Sequence, residues 1–487
     1  MNRLSRWLLR AVLLVVFVLV VLIVGGAYDA RWRLPDLKAW HRLTLDDVKA
    51  AELDEHFTFA QYQAREENLF AEVHAFEAAI DPLERTPVNR YHPGSLSHPS
   101  SAGRDWNRSY ETEPPVIRAG ALMIHGLTDS PYSMRAVADV LRDNGVYSLT
   151  LRMPGHGTVP SGLVHATWQD WMAAIRMGVR HVRGKIPRDA PLILVGYSNG
   201  GALVLKYTLE ALESDSDPRP AKLILLSPMV GVTPAARLAW WISRLGILPY
   251  FEKSNWIDVL PEYNPFKYNS FAANAGFQTA SLTTAVQKDL ASATSNGRLV
   301  DMPPILTFQS IVDATVSTPA VVHLLYDRLP KNGSELVLFD VNHLSGIDVF
   351  VQPADRSLVS SLFERQPRQY RRVLVTNSSA TTRDVDAASV EPGSHDVARR
   401  PLGLAWPPQV FSLTHVAIPF AVNDPLYGID DSPGIAGLLP IGRLSPRGER
   451  AVLTVGTDTL MRLSSNPFFP FIAERIGGWV AIVPAGR

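Results

Sequence analysis

A serine near the middle of the chain stands in a pattern that activates serine as a nucleophile. Gly196, Ser198 and Gly200 form a Gly-X-Ser-X-Gly motif, which follows the apolar run Leu192–Val195 and precedes an apolar, helix-compatible segment. On a tight turn from strand to helix, such a serine adopts strained backbone angles and its hydroxyl points out above the sheet edge. The N-terminus of the following helix adds partial positive charge where an oxyanion forms. The pattern therefore predicts Ser198 as a nucleophile.

The chain also offers an acid in the expected place. A serine nucleophile needs a histidine that takes its proton and an acid that orients the histidine, and after such a turn the order along the chain is serine, acid, histidine. Asp313 follows the strand-length apolar run Ile305–Phe308, at the point where the carboxyl end of a strand is expected. We therefore predict that Asp313 orients the catalytic histidine.

Two histidines compete for the role of general base. His343 follows the apolar run Glu335–Phe339, and the distance from Asp313 leaves room for one helix and one strand, so His343 is the first choice. His415 is the alternative, because it lies in Phe411–Phe420, which resembles a strand, and a late insertion would move the catalytic loop there. Either histidine completes a Ser-His-Asp triad with Ser198.

Strand-like and helix-like segments alternate around these residues. This alternation predicts an α/β fold, which is a mostly parallel sheet with helices on both faces. In such a fold the catalytic groups lie at the carboxyl ends of the strands. The predicted strands are Ala119–Ile124, Tyr147–Leu151, Leu192–Val195, Lys222–Leu226, Ile305–Phe308 and Glu335–Phe339, and the predicted helices include Ser133–Asn144, Trp168–Arg183, Ala202–Glu213 and Thr318–Leu329.

Three motifs in this order carry a family resemblance. They are His125–Arg135, which begins His-Gly-Leu-Thr-Asp, the Pro-Gly-His-Gly-Thr segment Pro154–Thr158, and Gly196–Gly200. Over residues 116–350 the chain resembles the α/β-hydrolases, in particular the branch of carboxylesterases, monoacylglycerol lipases and serine-aminopeptidase-like enzymes. The order of the motifs therefore implies an α/β-hydrolase fold.

The resemblance also implies roles for single residues and for an insertion. Ser198 would be the nucleophile, the backbone N–H groups of Leu127 and Asn199 would form the oxyanion hole, and His125 would hold its loop. Residues 232–301 lie where the family carries a cap over the active site. An aromatic-rich cap implies an apolar acyl or aromatic substrate, although a small lid also needs large side chains for its own core. The aromatic residues in question are Trp240, Trp241, Tyr250, Phe251, Trp256, Tyr263, Phe266 and Tyr268.

Composition excludes several classes of function. The 487 residues include 47 Lys and Arg against 47 Asp and Glu, and a net charge of zero argues against bulk electrostatic binding of nucleic acid. The chain contains no cysteine, which excludes thiol catalysis, disulfides and cysteine-bound metals. We expect no metal and no organic cofactor, and composition carries no signal for the oligomeric state.

The N-terminus predicts a membrane segment. Ala11–Tyr28 carries no charge and follows ten residues that include three arginines. As a helix it spans about 27 Å, close to the hydrocarbon core of a bilayer. Basic residues stay on the cytoplasmic side, so we expect a single-pass anchor in the inner membrane with the catalytic domain in the periplasm. The small residues Gly25 and Ala27 leave a cleaved signal peptide, and thus secretion, as the alternative.

These observations predict an ordered set of parts and a function. We expect a transmembrane anchor (1–33), a helical stem and linker (34–115), a hydrolase core with its cap (116–372), and an extension packed on the core (373–487), in which the polar segment Thr376–Ala398 is flexible. The predicted function is a membrane-anchored serine hydrolase that cleaves carboxylic esters of small-molecule or lipid-like substrates through an acyl-enzyme. Alternatives are a peptidase, amidase or acyltransferase with the same triad, or a non-catalytic envelope scaffold with a hydrolase fold.

Overall fold

The computed structural model describes residues 3–214, 216–231, 244–344, 362–363, 367–430, 438–445, 447 and 453–481. Trp240 and Trp241, two of the aromatic residues predicted in the cap, lie outside the described residues. The strands are β1 Tyr110–Thr112, β2 Ala119–Ile124, β3 Val146–Leu151, β4 Leu192–Tyr197, β5 Lys222–Leu226, β6 Trp256–Asp258, β7 Phe271–Ala272, β8 Ile305–Ser310, β9 Glu335–Phe339, β10 Arg371–Asn377, β11 Asp384–Val390 and β12 Val397–Ala405. The helices are α1 Arg3–Arg33, α2 Phe59–Ala78, α3 Arg135–Asp143, α4 Gly162–His165, α5 Trp168–Lys185, α6 Asn199–Glu213, α7 Ala273–Ser295, α8 Thr318–Ala320, α9 Thr457–Leu460 and α10 Phe469–Ala481.

A large twisted sheet organises the molecule. Its strands lie in the order β1-β3-β2-β4-β5-β8-β9-β10-β11-β12. From β3 to β10 neighbouring strands are parallel, whereas β1, β11 and β12 pair antiparallel with their neighbours. All residues of β2, β3, β4, β5, β8 and β9 are buried, as expected for parallel strands covered on both faces. The predicted α/β-hydrolase fold is confirmed.

Helices cover the two faces of this sheet, because alternate strand residues point in opposite directions. Leu122 and Ile124 of β2 join the core formed with α5, α6 and α7. Ala121 and Met123 of the same strand join the core formed with α3 and α10. This alternation fixes the register of the strands. Because the strands from β3 to β10 are parallel, their carboxyl ends lie at one edge of the sheet, where the predicted catalytic residues lie.

The C-terminal part of the chain extends the sheet. The expected boundary at residues 372 and 373 falls inside β10, which pairs with β9. The expectation that Thr376–Ala398 is flexible is wrong, because this segment includes β11, paired on both sides. The strand expected over Phe411–Phe420 is also wrong. Those residues run irregularly and include one 3-10 turn, His415–Ala417.

The segment between the first helix and the sheet is bound to the core through a buried ion cluster. The side chain of Arg152, which directly follows β3, is fully inaccessible to solvent. Both of its terminal nitrogens donate to the carboxylate of Asp47 at 2.9 Å, and its Nε donates to Glu66 of α2 at 2.9 Å. Burial alone would raise the pKa of Asp47, but Arg152 outweighs it and the pKa is lowered. The stem therefore packs as a part of the domain that contains the sheet.

The first helix contacts the cap at its C-terminal end. Ala27 and Ala30 are buried, while the side chains from Trp7 to Leu22 are exposed. Arg31 donates to the carbonyl of Tyr250 at 3.0 Å, and its guanidinium lies 4.0 Å from the centroid of the Tyr250 ring. Within the described residues, α1 is the helix long and apolar enough to cross a membrane.

Candidate active site

Ser198 occupies a strained turn between β4 and α6. Its φ of 55° and ψ of −116° lie in a region that residues with a side chain rarely adopt. A Cβ on Gly196 would collide with the backbone of Gly200, and one on Gly200 would collide with the carbonyl oxygen of Ile124. The two glycines thus allow strand and helix to close around the serine. The predicted strand-turn-helix context of Ser198 is confirmed.

His415 lies between Ser198 and Asp313. Its Nε2 is 3.0 Å from Ser198 Oγ, and its Nδ1 is 2.8 Å from Asp313 Oδ2. The side chains of His415 and Asp313 are 6% and 0% exposed, so water does not compete for these contacts. The ring of Tyr197 stacks against the imidazole with centroids 5.4 Å apart. Because a carboxylate only accepts, Nδ1 carries the proton that it donates to Asp313, and Nε2 is left to accept from the serine.

The prediction that His343 bridges Ser198 and Asp313 is wrong. His343 Nε2 lies 2.9 Å from Asp340 Oδ2, and its backbone N–H donates to the side chain of Asn377. The physical reason is the long insertion after β9. It adds three strands to the sheet before the chain returns to the carboxyl ends of β8 and β9.

Two contacts hold the returning segment beside the strand ends. Asn342 N–H donates to the carbonyl of Phe411 at 2.8 Å, and the hydroxyl of Ser310 donates to the carbonyl of Leu413 at 2.9 Å. Two residues further along, the 3-10 turn that begins at His415 points the imidazole at the serine. The sequence signal for this arrangement is His415 itself, because it lies in the apolar segment Phe411–Phe420, which follows the polar segment Thr376–Ala398.

Asp313 is held ionised by its neighbours. Burial raises the pKa of a carboxyl, but His415 and the backbone N–H groups of Val316 and Thr315 outweigh burial and hold the pKa of Asp313 below its ordinary value. Gln309 of β8, which the sequence did not single out, donates to Asp313 Oδ2 at 3.0 Å. Asp313 is therefore fixed on both carboxylate oxygens, by backbone on one and by His415 and Gln309 on the other.

The loop after β2 faces the nucleophile. A Cβ on Gly126 would stand only 3.2 Å from Cβ of Ser198, so the backbone beside Leu127 runs directly past the serine. Thr128 has a φ of 63°, and its carbonyl accepts from the N–H of Tyr268 in the cap at 2.7 Å. His125 accepts from the N–H of Met153 at 3.1 Å, which matches the loop-holding role that the resemblance implies.

Comparisons with known proteins show what this chain is similar to. Residues 116–341 match the family described as "Serine aminopeptidase, S33". A thermostable monoacylglycerol lipase from Bacillus sp. (strain H-257) is 33% identical over 96 residues, which are 20% of this chain. The chain spans 36% of the length of that relative.

Solved structures of lipolytic enzymes are also similar. A metagenome-derived lipolytic enzyme shares 20% identity, over 52% of this chain and 96% of that one, with a TM-score of 0.37. A monoglyceride lipase from Saccharomyces cerevisiae shares 16% identity, over 48% and 82% of the two chains, also with a TM-score of 0.37. Residues 116–341 are thus similar to serine-aminopeptidase-like hydrolases, and the chain has an α/β-hydrolase fold.

A cavity of about 1170 Å³ lies beside Ser198 and His415. Ser198 and His415 line it, together with an apolar group and a polar group of side chains. The apolar group consists of Leu127, Met229, Ile257, Phe271, Val316 and Leu324, and the polar group consists of Asp129, Lys267, Asn269, Thr315 and Arg462. Of the cap aromatics, Tyr268 lines this cavity, whereas Phe266 stacks on Tyr132 within the packing. Phe266 therefore belongs to the packing of the cap, and for Tyr268 a role in a substrate pocket stays a prediction.

A buried aspartate of the C-terminal extension ties the hydrolase loops together. Asp424 accepts from the hydroxyl of Tyr132 at 2.8 Å and from the guanidinium of Arg135 at 2.9 Å. It also caps its own turn by accepting from the N–H groups of Leu426 and Tyr427. Tyr427 in turn accepts from Asn264 of the cap. The extension thus supports both the histidine and the loop after β2.

Within the described ranges, no group of three or more histidine, aspartate or glutamate side chains is arranged to hold a metal ion.

Proposed function

We propose that this chain is a serine hydrolase that cleaves carboxylic esters, with Ser198 as nucleophile, His415 as general base and Asp313 as the acid that orients it. The observation that carries the proposal is the continuous hydrogen-bonded line from Ser198 through His415 to Asp313, with distances of 3.0 and 2.8 Å. Both distances fall within the range at which a base removes a proton.

The first half-reaction forms the acyl-enzyme. Ser198 Oγ attacks the ester carbonyl carbon while its proton passes to Nε2 of His415, and the carbonyl electron pair moves onto the oxygen. When the tetrahedral intermediate collapses, the bond between the carbon and the alcohol oxygen breaks. The alcohol leaves with the proton from His415, whose positive charge Asp313 has stabilised meanwhile.

The second half-reaction returns the free enzyme. Water gives a proton to Nε2 of His415 and its oxygen attacks the acyl carbon, and Ser198 then departs with that proton. In both halves the backbone N–H groups of Leu127 and Asn199 form the oxyanion hole. Support comes from the close approach of the Gly126 backbone to Ser198 and from the position of Asn199 as the first residue of α6.

Lipid-like esters are the substrates that the cavity favours. The apolar group of lining residues offers a place for an acyl chain, and the relative with 33% identity is a monoacylglycerol lipase. The long apolar helix α1 supports the further proposal of a single-pass anchor in the inner membrane, with the hydrolase in the periplasm.

Covalent labelling tests the assignment. The full chain in detergent should react with a fluorophosphonate probe and hydrolyse 4-nitrophenyl butyrate, and Ser198→Ala should abolish both without lowering the melting temperature. Ser216→Ala, an exposed serine after α6, is the matched control and should behave as wild type. Labelling or hydrolysis that persists in Ser198→Ala would refute the proposal. A parallel assay with the 4-nitroanilide of the same acid separates esterase from amidase activity.

A further inference from the structure

Two cationic side chains line the catalytic cavity from outside the sheet. Lys267 lies in the cap, between β6 and β7, and Arg462 lies in the C-terminal extension, just after α9. Both residues line the cavity and are half-buried. Two separate additions to the sheet therefore each bring one positive charge to the same cavity.

These charges are poorly compensated by the protein. In the part of the chain that the structure describes, Lys267 donates no hydrogen bond and lies within 4.0 Å of no carboxylate. Arg462 donates one hydrogen bond, to the hydroxyl of Thr315 at 3.3 Å, and forms no ion pair there. Its remaining N–H groups keep their capacity for a ligand.

The two cations also act on each other. Burial lowers the pKa of Lys267, Asp129 opposes this effect, and the charge of Arg462 lowers that pKa further. Asp129 and Asp313 are the carboxylates among the described lining residues, and Asp313 is paired with His415. A half-buried cation beside another cation is costly unless an anion joins them.

We propose that Lys267 and Arg462 recognise an anionic group, a carboxylate or a phosphate, on the ester substrate. This inference rests on the proposed esterase function and adds a substrate class to it. The apolar residues Met229, Phe271 and Leu324 take the acyl chain, and the two cations select esters that carry negative charge. An ammonium and a guanidinium together suit both oxyanions, since the guanidinium fork can bind two oxygens at once.

Matched pairs of esters test this selection. The first pair is 4-carboxyphenyl butyrate against 4-carbamoylphenyl butyrate, and 4-(phosphonooxy)phenyl butyrate extends it to phosphate. The second pair is mono-4-nitrophenyl adipate against 4-nitrophenyl hexanoate, which moves the charge to the acyl side. We expect kcat/KM of the wild type to favour the anionic member of at least one pair by about tenfold or more.

Substitutions connect the preference to the two residues. Lys267→Met and Arg462→Met should each remove most of the preference while leaving kcat/KM for the neutral esters within about threefold, and Lys267→Arg should retain it. Lys331→Met and Arg188→Met, which change exposed cations away from the cavity, are the matched controls and should keep the wild-type preference. If Lys267→Met does not fold, the preference for anionic esters is measured in Lys267→Arg, which should keep it, and in Arg462→Met, which should lose most of it.

The outcomes separate the two proposals. Hydrolysis of neutral esters with no preference for an anionic partner in either pair overturns the inference and leaves the esterase intact. A preference that survives in both Lys267→Met and Arg462→Met also overturns it. Absence of Ser198-dependent hydrolysis with every ester overturns the esterase itself. A preference for carboxylate or for phosphate identifies which oxyanion the pair binds.

Discussion

At the scale of single residues, the two histidines near the strand ends give the sharpest test of mechanism. His415→Ala removes the base from Ser198 and should lower kcat by several orders of magnitude while the fold is kept. His343→Ala leaves Asp340 with its hydrogen bond from Thr376, so it should reduce stability modestly and leave kcat within about threefold. Steady-state kinetics and melting temperatures of both variants check this prediction. Equal losses of kcat would contradict it.

The sequence pointed to Ser198 and Asp313 but ranked the two histidines in the wrong order. Ser198 and Asp313 directly follow buried parallel strands, so their positions depend only on local sequence. The position of His415 depends on where the chain returns after three added strands, through contacts such as that of Ser310 with Leu413. Spacing along the chain favours His343, since His343 comes soon after β9. Spacing cannot show that the chain returns to the strand ends after the inserted strands β10, β11 and β12.

A buried aspartate in the cavity predicts a pH dependence of stability. Burial raises the pKa of Asp129 to about 6, against an ordinary value of 3.8. A raised carboxyl pKa means that folding favours the protonated form. The stability that Asp129 contributes is therefore present below pH 4 and is lost as the pH rises to about 6, by about 3 kcal/mol in total.

Asp129→Asn removes this dependence because its amide does not ionise. The free energy of unfolding of Asp129→Asn minus that of the wild type should become more positive between pH 4 and pH 8, by up to about 3 kcal/mol. Urea unfolding of the full chain in detergent at the two pH values measures the difference. A difference that is constant or falls with pH would show that Asp129 does not titrate as a buried carboxyl.

At the scale of elements, the ion cluster that fixes the stem predicts a large loss of stability. Arg152→Met leaves Asp47 and Glu66 buried without their cation, which should cost about 3–5 kcal/mol of the free energy of unfolding. Arg65→Met is the matched control, because Arg65 also pairs with two carboxylates, Asp46 and Glu52, but at the surface. It should cost about 1 kcal/mol or less. Similar losses for both variants would contradict a buried role for Arg152.

The elements that the sequence predicted and those that it missed differ in composition. The predicted strands β2, β5 and β9 match the observed bounds residue for residue, because fully buried parallel strands are short continuous apolar runs. In contrast, β11 carries Asp384, Asp386 and Ser389, and most of β12 is exposed. The polar residues of β11 interrupt any apolar run, although the strand is paired on both sides and mostly buried, so the sequence indicated a flexible segment there.

At the scale of the whole molecule, the segment that directly follows helix α1 contacts the cap. The amino group of Lys253 donates to the carbonyl of Leu34 at 2.9 Å and pairs with Asp36, and Arg42 pairs with Glu252. The cap is thereby held beside the C-terminal end of α1. The same cap lines the cavity with Ile257 and Lys267.

The last prediction concerns this anchor. Helix α1 runs without a break through Ala27, which is buried against the rest of the chain, so we expect that no peptidase removes the helix. The purified chain should keep its N-terminal segment by mass spectrometry, resist extraction by carbonate and need detergent to leave the membrane. A reporter active only outside the cytoplasm, fused to the C-terminus, should be active, as the basic N-terminal segment favours the cytoplasmic side. Recovery of a soluble chain that begins near Tyr28 would instead support a cleaved signal peptide, and reporter activity confined to the cytoplasm would reverse the orientation.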